Sequence, residues 1–141
     1  ESDLHDEFLL VEKRKGAISA GPGLRPDNDV DFRLAFRNDW LEQFGGAQQL
    51  FVVRVEGDSM VPTLQESDTV LINKNANTIG AGGGIFAINW NNMVLVKRLQ
   101  MNPQTNEIII KSDNPNYDSM VVKPHEIQIE GKVIWYGREL R

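Results

Sequence analysis

The sequence predicts a mostly β fold: a twisted sheet curled into a partial barrel, with one short helix near its start. Two observations carry that expectation. From Leu50 onward apolar residues alternate with polar ones in short runs, the period of a strand with one face buried. Between the runs stand turn clusters such as Asn91-Asn92, Asn102-Pro103 and Asp113-Asn114-Pro115. Many short strands with little helix bury their apolar faces by curling the sheet on itself.

In chain order, residues 16–31 carry Gly, Pro, Asn and Asp at high density around Ala20-Gly21-Pro22-Gly23, and read as an extended, mobile loop. Residues 36–44 have an Asn38-Asp39 start, apolar residues at helical spacing and Gly45-Gly46 as a stop, which predicts a short helix. In the first β run Phe51, Val53 and Val55 share one face, with Arg54 and Glu56 on the other. Further strands are expected over 69–73, 85–90, 93–101, 107–111 and 127–136. In the last of these, Ile127, Ile129, Val133 and Trp135 are expected to point one way. The division that follows is an N-terminal arm over 1–48, with the loop and the helix, and a β domain over 49–141. The chain starts at Glu1 rather than Met, so a segment upstream is expected.

A chain of 141 residues, 40% hydrophobic and 25% charged, has the size and composition of one globular domain. It has no cysteine, which excludes disulfides, thiol catalysis and cysteine-based zinc sites; neither metal nor cofactor is expected. No apolar run approaches the ~18 residues that span a bilayer and no signal peptide opens the chain, a pattern that fits the cytoplasm. The net charge is −5 and the single basic run is Lys13-Arg14-Lys15, so this segment is not expected to grip DNA by itself.

Chemistry concentrates at Ser59 and Lys97. Gly57 breaks the first β run, and Asp58-Ser59-Met60-Val61-Pro62 follows before the chain turns back. A serine at a strand end beside glycine has an accessible hydroxyl and neighbouring amides free of sheet bonding, which can hold an oxyanion. By itself Gly-Asp-Ser is more often a plain turn. The histidines are poor bases for it: His5 lies near the N-terminus, and His125 sits in a Lys-Pro-His-Glu turn. A lysine serves instead if it is neutral. Lowering an amine from about 10.4 to near 7 costs about 4 kcal/mol, so its surroundings must be apolar. Alternation places Lys97 in phase with Met93, Leu95, Leu99 and Met101, while Arg98 shares the other face with Val94, Val96 and Gln100. The bland reading is an edge-strand lysine that reaches water.

Taken together, Gly57-Asp58-Ser59-Met60-Val61-Pro62-Thr63-Leu64, Asp68-Thr69-Val70-Leu71-Ile72 and Val96-Lys97-Arg98-Leu99 resemble the LexA-type self-cleaving serine peptidases of phage and prophage repressors. So do Ala35-Phe36-Arg37-Asn38-Asp39-Trp40-Leu41, Lys111-Ser112-Asp113-Asn114-Pro115-Asn116-Tyr117 and Gly131-Lys132-Val133-Ile134-Trp135. The resemblance implies the partly closed sheet shared with signal peptidases, Ser59 as nucleophile and Lys97 as general base. It further implies an oxyanion held by backbone amides of Asp58 and Ser59, and self-cleavage between Ala20 and Gly21. The partners implied are a second copy of the chain and an activated RecA filament acting after DNA damage. Operator DNA would be bound only through an upstream helix-turn-helix head. Ser67 stands where many relatives have glycine, and the glycine cluster over 80–84 is looser than the usual turn. Three other readings remain: an accessory subunit of an error-prone polymerase similar to UmuD, a signal peptidase, which would need a membrane anchor, and a dimerisation module that does not cleave.

Overall fold

The computed structural model describes residues 8–12, 18–19 and 33–140. The strands are β1 (Phe8–Glu12), β2 (Ile18–Ser19), β3 (Arg33–Arg37), β4 (Leu50–Glu56), β5 (Thr69–Asn73), β6 (Gly84–Trp90), β7 (Met93–Asn102), β8 (Glu107–Lys111), β9 (Met120–Val122) and β10 (Gln128–Gly137). One short helix, α1 (Asn38–Glu42), lies between β3 and β4. The mostly β class is as expected.

The main sheet runs β2-β4-β5-β10-β6-β7-β8-β9, and β2 pairs with β7 as well as with β4. That second pairing closes β2, β4, β5, β10, β6 and β7 into a ring. From β4 to β7 every ladder is antiparallel, so those two strands end up pointing the same way. A strand filling the gap between them is therefore parallel to both, and β2 is. Ser19 pairs with Glu56 on one side and Leu95 on the other.

Three apolar clusters follow from alternation along these strands. Phe51, Val53, Val55, Val70, Ile72, Ala87 and Val96 form one with Met60 and Leu64 of the β4–β5 connection. Phe86, Ile88, Leu95, Leu99, Ile108, Ile110 and Val122 form a second, beneath β8 and β9. Leu50, Val52 and Leu71, from the other face of β4 and β5, meet Val11 and Leu41 in a third. Each fully buried aliphatic side chain contributes about 1.5–3 kcal/mol. Phe36, Trp40, Phe44 and Trp135 pack against the third cluster as a chain of stacked and edge-to-face rings.

Several elements depart from the sequence expectation. The helix begins at Asn38, at the Asn38-Asp39 start read from the sequence, while Phe36 and Arg37 of the same stretch continue β3 and pair with Leu9 and Phe8 of β1. Its end is as read: the Gly46 N–H donates to the Leu41 carbonyl and the Gly45 N–H to that of Glu42, with both glycines left-handed. Within the loop read over 16–31, Ile18–Ser19 is a strand; the rest of that stretch lies outside the described residues. The face assigned to the last strand is wrong. β10 shifts register between Ile129 and Gly131 and again between Val133 and Trp135. Ile127 and Ile129 therefore join the second cluster, Val133 the first and Trp135 the third. The first shift needs Gly131, where an added Cβ would stand 2.5 Å from the Asn73 carbonyl oxygen. β9, an edge strand with exposed Met120 and Val121, was not read at all.

Ser67 sits at φ 76, the left-handed region that strains any side chain, while its N–H donates to the Val55 carbonyl. Ser67→Gly should therefore raise stability by about 0.5–1 kcal/mol, and Ser67→Ala should not. Thermal unfolding of the two variants checks this.

Candidate active site

Ser59 follows the end of β4. Gly57 takes φ 82, which a side chain adopts rarely, and turns the chain out of the strand. Met60 and Leu64 then drop into the first cluster and anchor the loop between them. Ser59 is fully buried, and its hydroxyl meets Lys97: Nζ lies 3.0 Å from Oγ. Lys97 stands mid-strand on β7, on the face it shares with Leu95 and Leu99, as alternation predicted. It is 8% exposed, so the snorkelling alternative does not apply. Burial pushes its amine below the ordinary lysine value. Its Nζ also donates to Ser112 Oγ at 2.8 Å, and the ring of Tyr117 lies 5.6 Å away.

The segment just after β8 braces this pair. Asp113 accepts two hydrogen bonds from Arg98, each 2.8 Å, and a third from the Thr63 hydroxyl. It thereby joins β7, the serine loop and its own segment at one carboxylate. The Arg98 guanidinium holds that carboxyl below its usual range, and Thr63 adds to the effect. The Asn114 N–H donates to the Ser59 carbonyl at 2.9 Å, and the Asn114 side chain donates to the Asp58 carbonyl at 3.0 Å. The Tyr117 hydroxyl donates to the Asp58 carboxylate, a bond that raises its own pKa.

A second brace holds the return of the loop. Asp68 is fully buried, and its carboxylate receives two bonds from Arg138, at 2.7 and 2.8 Å, and one from the Gln65 N–H. Burial drives this carboxyl upward, but Arg138 and the Gln65 amide outweigh it and the net shift is downward. Such a buried acid would be costly without its partner.

Among the described residues neither the Asp58 nor the Ser59 amide N–H donates a hydrogen bond, so both remain available to an oxyanion. His125 is exposed in the single turn Pro124–Glu126, away from this network. His5, Lys13-Arg14-Lys15 and the Ala20–Gly21 bond lie outside the described residues. A surface hollow of about 710 Å³, lined by Phe36, Arg37, Asp39, Trp40, Gln43 and Trp135, holds none of the site groups. Sequence reasoning brought Ser59 and Lys97 together but gave no role to Thr63, Arg98, Ser112, Asp113, Asn114 or Tyr117. Those residues were visible only as parts of the family resemblance.

A buried serine hydroxyl on a lysine amine with a lowered pKa is the arrangement of a serine acyl-transfer site. Residues 13–134 match the family described as peptidase S24-like. The chain belongs to that family. Among its relatives is the 26 kDa repressor protein of Escherichia phage HK022, 32% identical over 127 residues, which are 86% of this chain and 53% of that protein. The repressor protein CI of Enterobacteria phage phi80 is 28% identical over 136 residues, 94% of this chain and 57% of its own length. The LexA repressor of Pelagibacter ubique (strain HTCC1062) is 28% identical over 120 residues, 84% and 50%. This S24-like chain thus spans about half the length of the curated relatives it matches. Among the described residues no helix is long and apolar enough to cross a membrane.

The lowered pKa of Lys97 has a consequence for stability. Between its folded value and the unfolded value of about 10.4, the unfolded chain binds more protons, so this group makes folding more favourable as pH rises. In Lys97→Met that dependence disappears. Thermal unfolding should show the wild type gaining a few degrees relative to Lys97→Met between about pH 7 and about pH 10.

Proposed function

We propose that this chain is the self-cleaving and dimerising part of a LexA-like repressor, with Ser59 as nucleophile, Lys97 as general base and Ala20–Gly21 as the bond cut. The observation that carries the reading is the docking of Ile18–Ser19 between β4 and β7, in parallel with both. Ser19 is paired with Glu56, three residues before Ser59, and with Leu95, two residues before Lys97. The chain direction runs toward the dyad, and Ala20 and Gly21 are the next residues in sequence.

In the proposed reaction neutral Lys97 Nζ takes the proton of Ser59 Oγ as the oxygen attacks the Ala20 carbonyl carbon. Amide N–H groups of Asp58 and Ser59 receive the resulting oxyanion. Its collapse breaks the Ala20–Gly21 C–N bond, and the Lys97 ammonium gives its proton to the Gly21 nitrogen as that amine leaves. Water, deprotonated by the same lysine, then releases the acyl group from Ser59. The substrate is part of the same chain, so a high effective molarity offsets a weak nucleophile. Small residues on both sides of the bond let the backbone enter a narrow site.

The biological consequence belongs to the whole protein. A cut in the arm would separate an upstream helix-turn-helix head from the part that holds two copies together. Two linked heads on a two-fold operator bind far better than one, so separation relieves repression. An activated RecA filament, favouring the docked arm after DNA damage, is the partner proposed for the SOS response. The names of the relatives support a repressor over a UmuD-like polymerase subunit.

Intact-mass spectrometry after incubation across neutral and alkaline pH tests the reading. The expected result is a split between Ala20 and Gly21 whose rate climbs with pH, because alkali supplies neutral Lys97. In Ser59→Ala and Lys97→Ala the rate should fall by at least about 100-fold with the fold intact. An uncut wild type at every pH would leave the non-cleaving dimerisation module, and a split persisting in Ser59→Ala would remove the serine from the mechanism.

A further inference from the structure

Two hydroxyls among the described residues meet the Lys97 amine. Ser59 Oγ lies 3.0 Å from Nζ and Ser112 Oγ lies 2.8 Å from it. Ser112 directly follows Lys111, the last residue of β8, where the ladder pairs Lys111 with Arg98. Its place is fixed independently of Lys97. The next residue, Asp113, is clamped by Arg98 and Thr63, and the one after it, Asn114, is bonded to the Ser59 carbonyl. Adjacent residues of β7, Lys97 and Arg98, thus grip adjacent residues of the facing segment, Ser112 and Asp113, as successive rungs.

We infer that Ser112 is a positioning residue for the self-cleavage proposed above: its hydroxyl oxygen accepts one N–H of neutral Lys97 and so turns the amine lone pair toward Ser59 Oγ. The inference rests on the reading of Ser59 and Lys97 as the reacting pair. A lysine amine ends a flexible four-carbon stem, and ordering that stem costs up to about 2 kcal/mol. A neutral amine carries two N–H bonds and one lone pair in tetrahedral array. Holding one N–H on a fixed acceptor restricts the lone pair to a narrow cone, and Ser59 lies within hydrogen-bonding reach of the same nitrogen. Ser112 exchanges no proton and touches no reacting atom; it acts through Lys97.

The same acceptor also favours the protonated amine, since a hydroxyl oxygen solvates an ammonium. Ser112 therefore has two separable effects: it aims the neutral lysine and it partly offsets the downward pull of burial. Other titratable groups about Lys97 are otherwise engaged. Tyr117 presents its ring and gives its hydroxyl to Asp58. Asp113 is bound by Arg98, on the opposite face of β7. On β8, Lys111 is exposed and Glu107 is paired with Asn102, five residues along from Lys97; β6 brings no ionisable side chain.

pH–rate profiles of self-cleavage by the full chain test the inference in wild type, Ser112→Ala and Ser112→Thr. The expected outcome for Ser112→Ala is an alkaline plateau lower by about 10–100-fold, the scale of a misaimed reacting group, with a midpoint displaced to lower pH. Ser112→Thr, which keeps the hydroxyl, should restore both. An unchanged profile overturns the inference, and so does a lower plateau with an unmoved midpoint, the mark of a merely structural residue. A second measurement separates failure here from failure of the cleavage reading. In a Ser59→Ala background, titration of the Lys97 side chain by NMR should move to lower pH on adding Ser112→Ala. If the wild type is never cut, the cleavage reading falls and this titration still decides whether Ser112 governs the lysine; an unmoved titration overturns that hold.

Discussion

The buried contact between the Lys97 amine and the Ser59 hydroxyl sets the demands that the rest of the site meets. An ammonium taken out of water is costly, and the neutral amine is far less so, so placing lysine beside Leu95 and Leu99 shifts it toward the form that can accept a proton. A neutral amine still needs hydrogen-bonding partners in a dry interior, and hydroxyls suit it better than carboxylates, which would draw the proton back. Ser59 and Ser112 are hydroxyls. The acids that hold the serine loop, Asp113 and Asp68, are each committed to an arginine instead.

That separation of charge from the Lys97 nitrogen depends on strand alternation. Arg98 and Lys97 are neighbours in sequence and face opposite ways, so the arginine can neutralise Asp113 without meeting the lysine. The braces are long-range: Thr63 to Asp113 spans 50 residues and Arg138 to Asp68 spans 70. The serine loop is therefore held by the finished sheet rather than by its own local turn, and its geometry exists only once β4, β7, β8 and β10 have come together.

The sequence was legible where one strand's own alternation decides the outcome. The phase of β7, the burial of Lys97 and the faces of β4 could be read because each is a property of a short segment. The Asn38-Asp39 start of α1 was legible, but the strand ahead of it was not, because Phe36 and Arg37 are claimed by β1, a partner far back in the chain. The face of β10 was misread because two bulges break its period, and only the close approach of Gly131 to Asn73 explains the first. β9 escaped because three residues at a sheet edge carry almost no pattern. Ser112, Asp113 and Asn114 look like any polar turn, since bonds to residues 15 to 56 positions away leave no trace in local spacing.

The proposed cut changes what holds the parallel closure by β2. Ile18 and Ser19 precede the bond between Ala20 and Gly21, so a break there leaves the closing strand on the upstream piece, together with β1. Before the break the slot between β4 and β7 is filled by a tethered segment at high local concentration. Afterwards the same two residues are held by a ladder two residues long and, through the arm before them, by the five-residue ladder of β1 with β3. On the proposed reading, the cut turns a covalently tethered closure of the ring into one kept by strand pairing alone.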